Sequence, residues 1–167
     1  LLHSISIFRA LSQFCEGHNL AFQNLMRGQA AGGKTFNLID ETLTYWCALL
    51  TNASKLRQFD DLEAKCTLAV LRFLQESVQG PCTLNQEAII KNQPALDSFV
   101  CLMSNSSSMK NINDPLACFK MQSSVSVVLA ACLESRADST LAMILHQQVP
   151  PGLIVDRAVK TKQKLVW

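Results

Sequence analysis

The sequence has no apolar run that approaches the ~20 residues needed to span a bilayer. Its longest apolar segment, Val125 to Leu133, is interrupted by Ser126 and is typical of a buried helix. The start of the chain also lacks the basic region and cleavage site of a signal peptide, and the first residue is Leu1 rather than Met. We therefore expect no membrane span in this chain, and we expect it to be a piece of a longer polypeptide.

Aromatic and charged side chains are also sparse, at 7% and 17% of the residues. The 15 basic and 13 acidic side chains are scattered, so the chain has no basic stripe or aromatic platform of the kind that binds nucleic acid. This argues against a nucleic-acid partner. With 167 residues, of which 49% are hydrophobic, the chain is long enough to fold as one domain, residues 1–167.

Cysteine pairs with metal-ligand spacing are missing. The seven cysteines lie 14 to 32 residues apart without a C-x-x-C pair, and their odd number argues against a complete disulfide framework. Cys15 and His18 could form half of a zinc site, but no second pair has ligand spacing. We predict that the cysteines are buried, reduced thiols, as is typical of a cytosolic protein.

Strand-like alternation is hard to find, whereas apolar residues recur at helical spacing along nearly the whole chain, as at Ile7, Phe8, Leu11 and Phe14. Glycine and proline punctuate these stretches. The pattern predicts an all-α fold, with an armadillo-like α-solenoid segment of about nine short antiparallel helices as the leading architecture, ahead of a closed bundle. Beyond the first three helices, the predicted spans are Asp60 to Gln79, Leu84 to Lys91, Ala95 to Met103, Pro115 to Glu134, Ser139 to Gln147 and Gly152 to Thr161.

One segment, GQAAGGKT (Gly28 to Thr35), matches the phosphate-binding loop pattern at every required position. Such a loop needs a buried strand before it, and a helix after it whose N-terminus faces the phosphates. Thr35 could cap a following helix, Phe36 to Leu50. The preceding residues, His18 to Arg27, have the apolar spacing of a helix instead. We therefore expect a connection between two helices, with Lys34 in solvent.

Three other segments are more specific: FCEGHNLAFQNLMRGQ (Phe14 to Gln29), FLQESVQGPCTLNQ (Phe73 to Gln86) and LESRADSTLAMIL (Leu133 to Leu145). Together they resemble the receptor-homology-associated domain of the inositol trisphosphate receptor and ryanodine receptor family, which are tetrameric calcium-release channels of intracellular membranes. The Glu134 to Ser139 segment is more similar to the inositol trisphosphate receptor branch. The region from Thr51 to Gln58 is much shorter than in the vertebrate-type channels.

Glu16 and Glu76 each stand where a predicted helix is about to end, before Gly17 and before Gly80-Pro81. A carboxylate is unfavourable there, because the C-terminus of a helix carries partial negative charge and unpaired carbonyls. A cation would reverse this, and Ca²⁺ accepts carboxylate and carbonyl oxygens together. From residue types alone, two solvated glutamates remain the simpler interpretation.

The resemblance implies more for these residues. It implies that Glu16 and Glu76 furnish carboxylates to the activating calcium site, and that His18 and Gln79 surround that site. A further backbone oxygen comes, in the family, from a pore-proximal C-terminal region that this chain lacks. We therefore expect a partial calcium site, which is regulatory and binds calcium more weakly than the whole channel does.

The leading hypothesis is a non-enzymatic module on the cytosolic side of an endoplasmic reticulum channel, which is a homotetramer. It would contact other domains of the same polypeptide, including the pore-proximal region, and transmit ligand and calcium signals toward the pore. A helical scaffold for protein–protein interaction without ion sensing is the second hypothesis, and a nucleotide-binding enzyme is the third. The three histidines, His3, His18 and His146, lie apart without a motif partner, so no pair of nucleophile and base is indicated.

Overall fold

The computed structural model describes residues 1–29, 35–50, 53–105, 109, 111–114, 116–136 and 139–153. The described residues form no strand, and their β pairing is an isolated bridge between Asp60 and Asn111. They contain nine helices: α1 (Leu2–Cys15), α2 (Leu20–Arg27), α3 (Leu38–Leu49), α4 (Ala53–Arg57), α5 (Asp61–Val78), α6 (Thr83–Lys91), α7 (Gln93–Ser104), α8 (Ala117–Ala131) and α9 (Thr140–Gln148). Residues 151–153 form a further helical turn. The predicted all-α fold is confirmed.

Most predicted helices are found within a few residues of their predicted bounds, with three differences. The short helix α4 was not predicted. Helix α8 stops at Ala131 rather than Glu134, because the N–H groups of Leu133 and Glu134 turn back to carbonyls three residues earlier. The last predicted helix falls, beyond residue 153, outside the described part of the chain.

The longest helix, α5, begins at a complete capping box. The side-chain Oδ1 of Asp60 accepts hydrogen bonds from the N–H groups of Leu62 and Glu63, at 2.9 and 2.8 Å. In return, Oε2 of Glu63 accepts from the Asp60 N–H at 3.0 Å. This arrangement pairs N–H groups that a helix start would otherwise leave free, and it fixes where α5 begins.

Helix α5 lies at the centre of the fold, where it packs against α1, α2, α3, α6 and α8. Phe8 of α1 lies 6.0 Å from Phe73 of α5 between ring centroids, and Trp46 of α3 lies 4.8 Å from Phe99 of α7. The α5 residues with no exposed surface are Cys66, Thr67, Val70, Leu71, Phe73, Leu74, Ser77 and Val78. Packing between helices distant in sequence is compatible with a solenoid segment, which stays a prediction.

The glycine-rich connection joins α2 to α3, so a helix precedes it and not a strand, as predicted. Gln29 holds its two ends together. Its Nε2 donates to the carbonyls of Leu25 and Phe36, and its Oε1 accepts from the Phe36 N–H at 2.9 Å. Residues 30–34, with Lys34, lie outside the described part of the chain.

The predicted cap of the following helix was wrong. Helix α3 starts at Leu38, and Asn37 caps it through hydrogen bonds from the N–H groups of Ile39 and Asp40 to Oδ1. Thr35 lies outside the helix and is exposed.

Candidate functional site

The end of α1 places Glu16 at an exposed turn. The helix stops at Cys15, and Gly17 and His18 then take left-handed backbone angles, with φ of +73° and +58°. Asn19 starts the next helix, because its Oδ1 accepts a hydrogen bond from the Phe22 N–H at 3.4 Å. The predicted position of Glu16 at a helix end is confirmed, as the C-cap of α1.

The end of α5 places Glu76 in its last turn, half-buried, with Gln79 as the C-cap. Gly80 follows with φ of +76°, and its backbone lies against His18. A Cβ added to Gly80 would lie 2.5 Å from Cβ and from Cγ of His18. The ends of α1 and α5 are therefore in direct contact, through a histidine and a glycine that are 62 positions apart in the sequence.

The pKa of the Cys15 thiol reflects which charged groups lie near the same junction. Burial, with smaller contributions from the neighbouring Cys82 thiol and the Glu76 carboxylate, raises the pKa of its thiol to about 11. The Glu76 carboxylate is thus close enough to act on the residue that precedes Glu16. The structure brings together the two helix ends that carry the predicted carboxylates.

Gln23 of α2 ties this junction to the next helix. Its side chain is fully buried, and its Nε2 donates to the carbonyls of Glu76 and Gln79, at 2.7 and 2.8 Å. Its Oε1 has no partner in the described structure. Gln23 thereby pairs the C-terminal carbonyls of α5, which a helix end leaves unsatisfied.

Asn85, at the start of α6, extends the buried polar network. Its Nδ2 donates to the carbonyls of Gln23 and Ser77, both at 2.9 Å, and its Oδ1 accepts from Arg27 Nη1 at 2.6 Å. Arg27 also donates to Asn24 Oδ1 at 3.0 Å and contacts Cys82 Sγ at 4.0 Å, and among the described residues it has no carboxylate partner. The network joins α2, α5 and α6, and fixes their relative positions at this end of the fold.

Gln86 fixes the end of α8 in a similar way. Its buried Nε2 donates to the Ala131 and Glu134 carbonyls at 3.0 and 3.3 Å, and Arg136 Nη1 donates to the Thr83 carbonyl at 3.1 Å. The amides and arginines of the three specific segments therefore hold helix ends together. Asp138, in the third segment, lies outside the described residues.

Two open cavities border the carboxylates. A groove of about 460 Å³ between α1 and α5 is lined by Glu16 and by three cationic side chains, Arg9, Lys65 and Arg72. A second cavity, of about 430 Å³, lies between α5 and α8 and is lined by Glu76, Arg72 and Ser124 among others. Nη2 of Arg72 lies 3.6 Å from Oε1 of Glu16. Gln79 lines a separate cavity of about 370 Å³ with Glu134.

The donor set fits part of a calcium shell. Glu16 and Glu76 supply hard oxygen donors of the kind that Ca²⁺ prefers, but Ca²⁺ takes six to eight oxygens. Across the described ranges, no three His, Cys, Asp or Glu side chains form a group that could hold a metal ion. The carbonyls of Glu76 and Gln79 are already engaged by Gln23. A calcium ion at this junction would need further ligands from outside it.

A family model for "RyR and IP3R Homology associated" matches residues 2–103. The chain belongs to this family. It is also 29% identical, over 136 residues, to the inositol 1,4,5-trisphosphate receptor itr-1 of Caenorhabditis elegans, a match that covers 79% of this chain. This relative supports the predicted inositol trisphosphate receptor-like branch. The matched region of the family model contains both helix ends described above.

The matched region spans 5% of the length of that receptor. The family is one of receptors and channels, and not of enzymes. Among the helices that the structure describes, none has both the length and the apolar character that crossing a bilayer requires.

Proposed function

We propose that this chain is a cytosolic module of an intracellular ligand-gated calcium-release channel, a homotetramer of the endoplasmic reticulum membrane. In this proposal, residues 1–167 are one helical domain of a much larger polypeptide. The module passes ligand and calcium signals toward the pore. The observation that carries the proposal is the junction of α1 and α5, which holds Glu16 and Glu76 at two touching helix ends, within the region that the family model matches.

Calcium would act here through electrostatics and position. Each carboxylate sits at the negative end of a helix dipole, where a cation is favourable. The buried network of Gln23 and Asn85 links α5 to α2 and α6, so a displacement of one helix end is transmitted to its neighbours. If a pore-proximal segment supplies the remaining ligands, calcium binds better to the arrangement that brings this segment to the junction. Its differential affinity then shifts the channel toward that arrangement.

The test replaces Glu16 and Glu76 by Gln, singly and together, in the full-length channel that contains this chain. We expect each substitution to raise the calcium concentration for half-maximal activation by about tenfold or more, since each removes a charged ligand. Ligand-induced opening at saturating calcium should be retained. Glu41→Gln, an exposed glutamate in the first turn of α3, is the matched control and should leave calcium activation unchanged.

Unchanged calcium activation in the Glu16→Gln/Glu76→Gln channel would contradict the calcium part of the proposal. The chain would then be better described as a helical scaffold for protein–protein contacts that senses no ion.

A further inference from the structure

Arg72 stands between the two predicted calcium ligands. It lies one helical turn before Glu76 on α5, so the two side chains share a face of that helix. Its Nη2 is 3.6 Å from Oε1 of Glu16, at the end of α1. It is also the charged residue that lines both the groove beside Glu16 and the cavity beside Glu76.

The surroundings of Glu16 are positively charged. Lys65 lies seven residues before Arg72, on the same face of α5, and Arg9 reaches the groove from α1. Neither Arg9 nor Lys65 forms an ion pair within the described ranges, whereas Arg72 pairs with Glu16. The groove is thus lined by three positive charges and one carboxylate. Repulsion from these charges disfavours the binding of a divalent cation here.

We propose that Arg72 is an intramolecular competitor of calcium for Glu16, and that it sets the calcium concentration at which the site fills. The inference rests on the function proposed above. The Arg72 guanidinium pairs with a carboxylate oxygen of Glu16 that would otherwise ligate calcium, and its positive charge repels the incoming ion. Calcium therefore binds after Arg72 turns away from Glu16, and Arg72 returns when calcium leaves.

The exposure of the pair determines how strong this competition is. Both side chains are 60% exposed, and the distance of 3.6 Å is beyond that of a charge-assisted hydrogen bond. Exposed ion pairs of this kind are weak, because water screens them. Arg72 therefore tunes calcium affinity within a few-fold range and does not block the site.

The test measures calcium binding directly on the purified full-length channel. The difference between the wild type and the Glu16→Gln/Glu76→Gln channel isolates binding at this junction. We expect Arg72→Gln to tighten that binding about two- to fivefold, the change that corresponds to the exposed pair. Arg72→Lys keeps the charge and should stay near the wild type. Arg57→Gln removes an exposed arginine at the end of α4 and is the control for a general loss of positive charge.

A double-mutant comparison separates the failure of this inference from that of the proposed function. In the Glu16→Gln background, Arg72→Gln should have a smaller effect than in the wild type, because the carboxylate for which Arg72 competes is gone and only its repulsion of the ion remains. If Arg72→Gln leaves calcium binding unchanged or weakens it while Glu16→Gln/Glu76→Gln abolishes the site, the role of Arg72 is wrong and the calcium site stands. If Glu16→Gln/Glu76→Gln leaves calcium binding unchanged, both fail. Arg72→Ala provides a second neutral variant if Arg72→Gln does not assemble.

Discussion

At the scale of single residues, Gly80 and His18 make the contact that joins the two helix ends. Gly80 has a left-handed backbone and also has no room for a side chain beside His18. Gly17 has a similar φ, +73°, but open space around its Cα. The two glycines therefore separate the cost of backbone strain from the cost of a steric overlap.

We predict that Gly80→Ala lowers the free energy of unfolding by about 2 to 5 kcal/mol. The left-handed backbone accounts for about 1 to 2 kcal/mol of this, and the overlap with His18 for about 1 to 3 kcal/mol. Gly17→Ala should cost only the first part. Gly28→Ala, where φ is extended and no atom lies within 4 Å, should be nearly neutral. Urea unfolding followed by circular dichroism measures the three values, and equal effects of Gly80→Ala and Gly17→Ala would disprove the contact.

Two buried thiols make the free energy of unfolding depend on pH in the alkaline range. Burial raises the pKa of Cys15 to about 11 and that of Cys132 to about 12, from an ordinary value of 9.0. As pH rises past 9, the unfolded chain loses these protons while the folded chain keeps them, so the free energy of unfolding falls between pH 9 and 11. Each thiol contributes a slope of about 1.4 kcal/mol per pH unit there.

The measurement compares the wild type with Cys15→Ala/Cys132→Ala across this range. The double variant should show a shallower decline above pH 9. Below pH 8 the two proteins should have parallel pH dependences, because both states are protonated there. Parallel curves at every pH would contradict the raised pKa values.

At the scale of helices, caps decide where each element begins. Thr35 and Asn37 both belong to residue types that cap helices, so the sequence pattern does not choose between them. In the structure Asn37 is the cap, because the Gln29 side chain holds both the N–H and the carbonyl of Phe36 and the helix begins only at Leu38. This contact with the preceding connection, which the residue types at the helix start do not reveal, settled the choice.

We predict that Asn37→Ala destabilises the protein by about 0.5 to 2 kcal/mol, because two N–H groups at the start of α3 lose their acceptor. Thr35→Ala is the matched control and should change stability by less than about 0.5 kcal/mol. Thermal unfolding of both variants, compared with the wild type, measures these changes in stability. A larger loss of stability in Thr35→Ala than in Asn37→Ala would indicate that Thr35 caps α3, as the sequence pattern suggested.

At the scale of the whole molecule, the sequence predicted what depends on local spacing and missed what depends on tertiary contact. The helical periodicity gave the all-α fold, and the glycines after Glu16 and Glu76 gave the two helix ends. The contact of Gln23 with the end of α5 and the pairing of Arg72 with Glu16 join residues more than 50 positions apart. Only the packing of α5 against α1 and α2 brings them together.

The direct test of the calcium junction is a structure of the assembled channel that contains this chain, determined with saturating calcium and with a chelator. We predict a density peak about 2.3 to 2.6 Å from carboxylate oxygens of both Glu16 and Glu76, with further ligands from a pore-proximal segment. The peak should be present with calcium and absent with the chelator. A calcium-saturated channel without a peak between these two side chains would contradict the account.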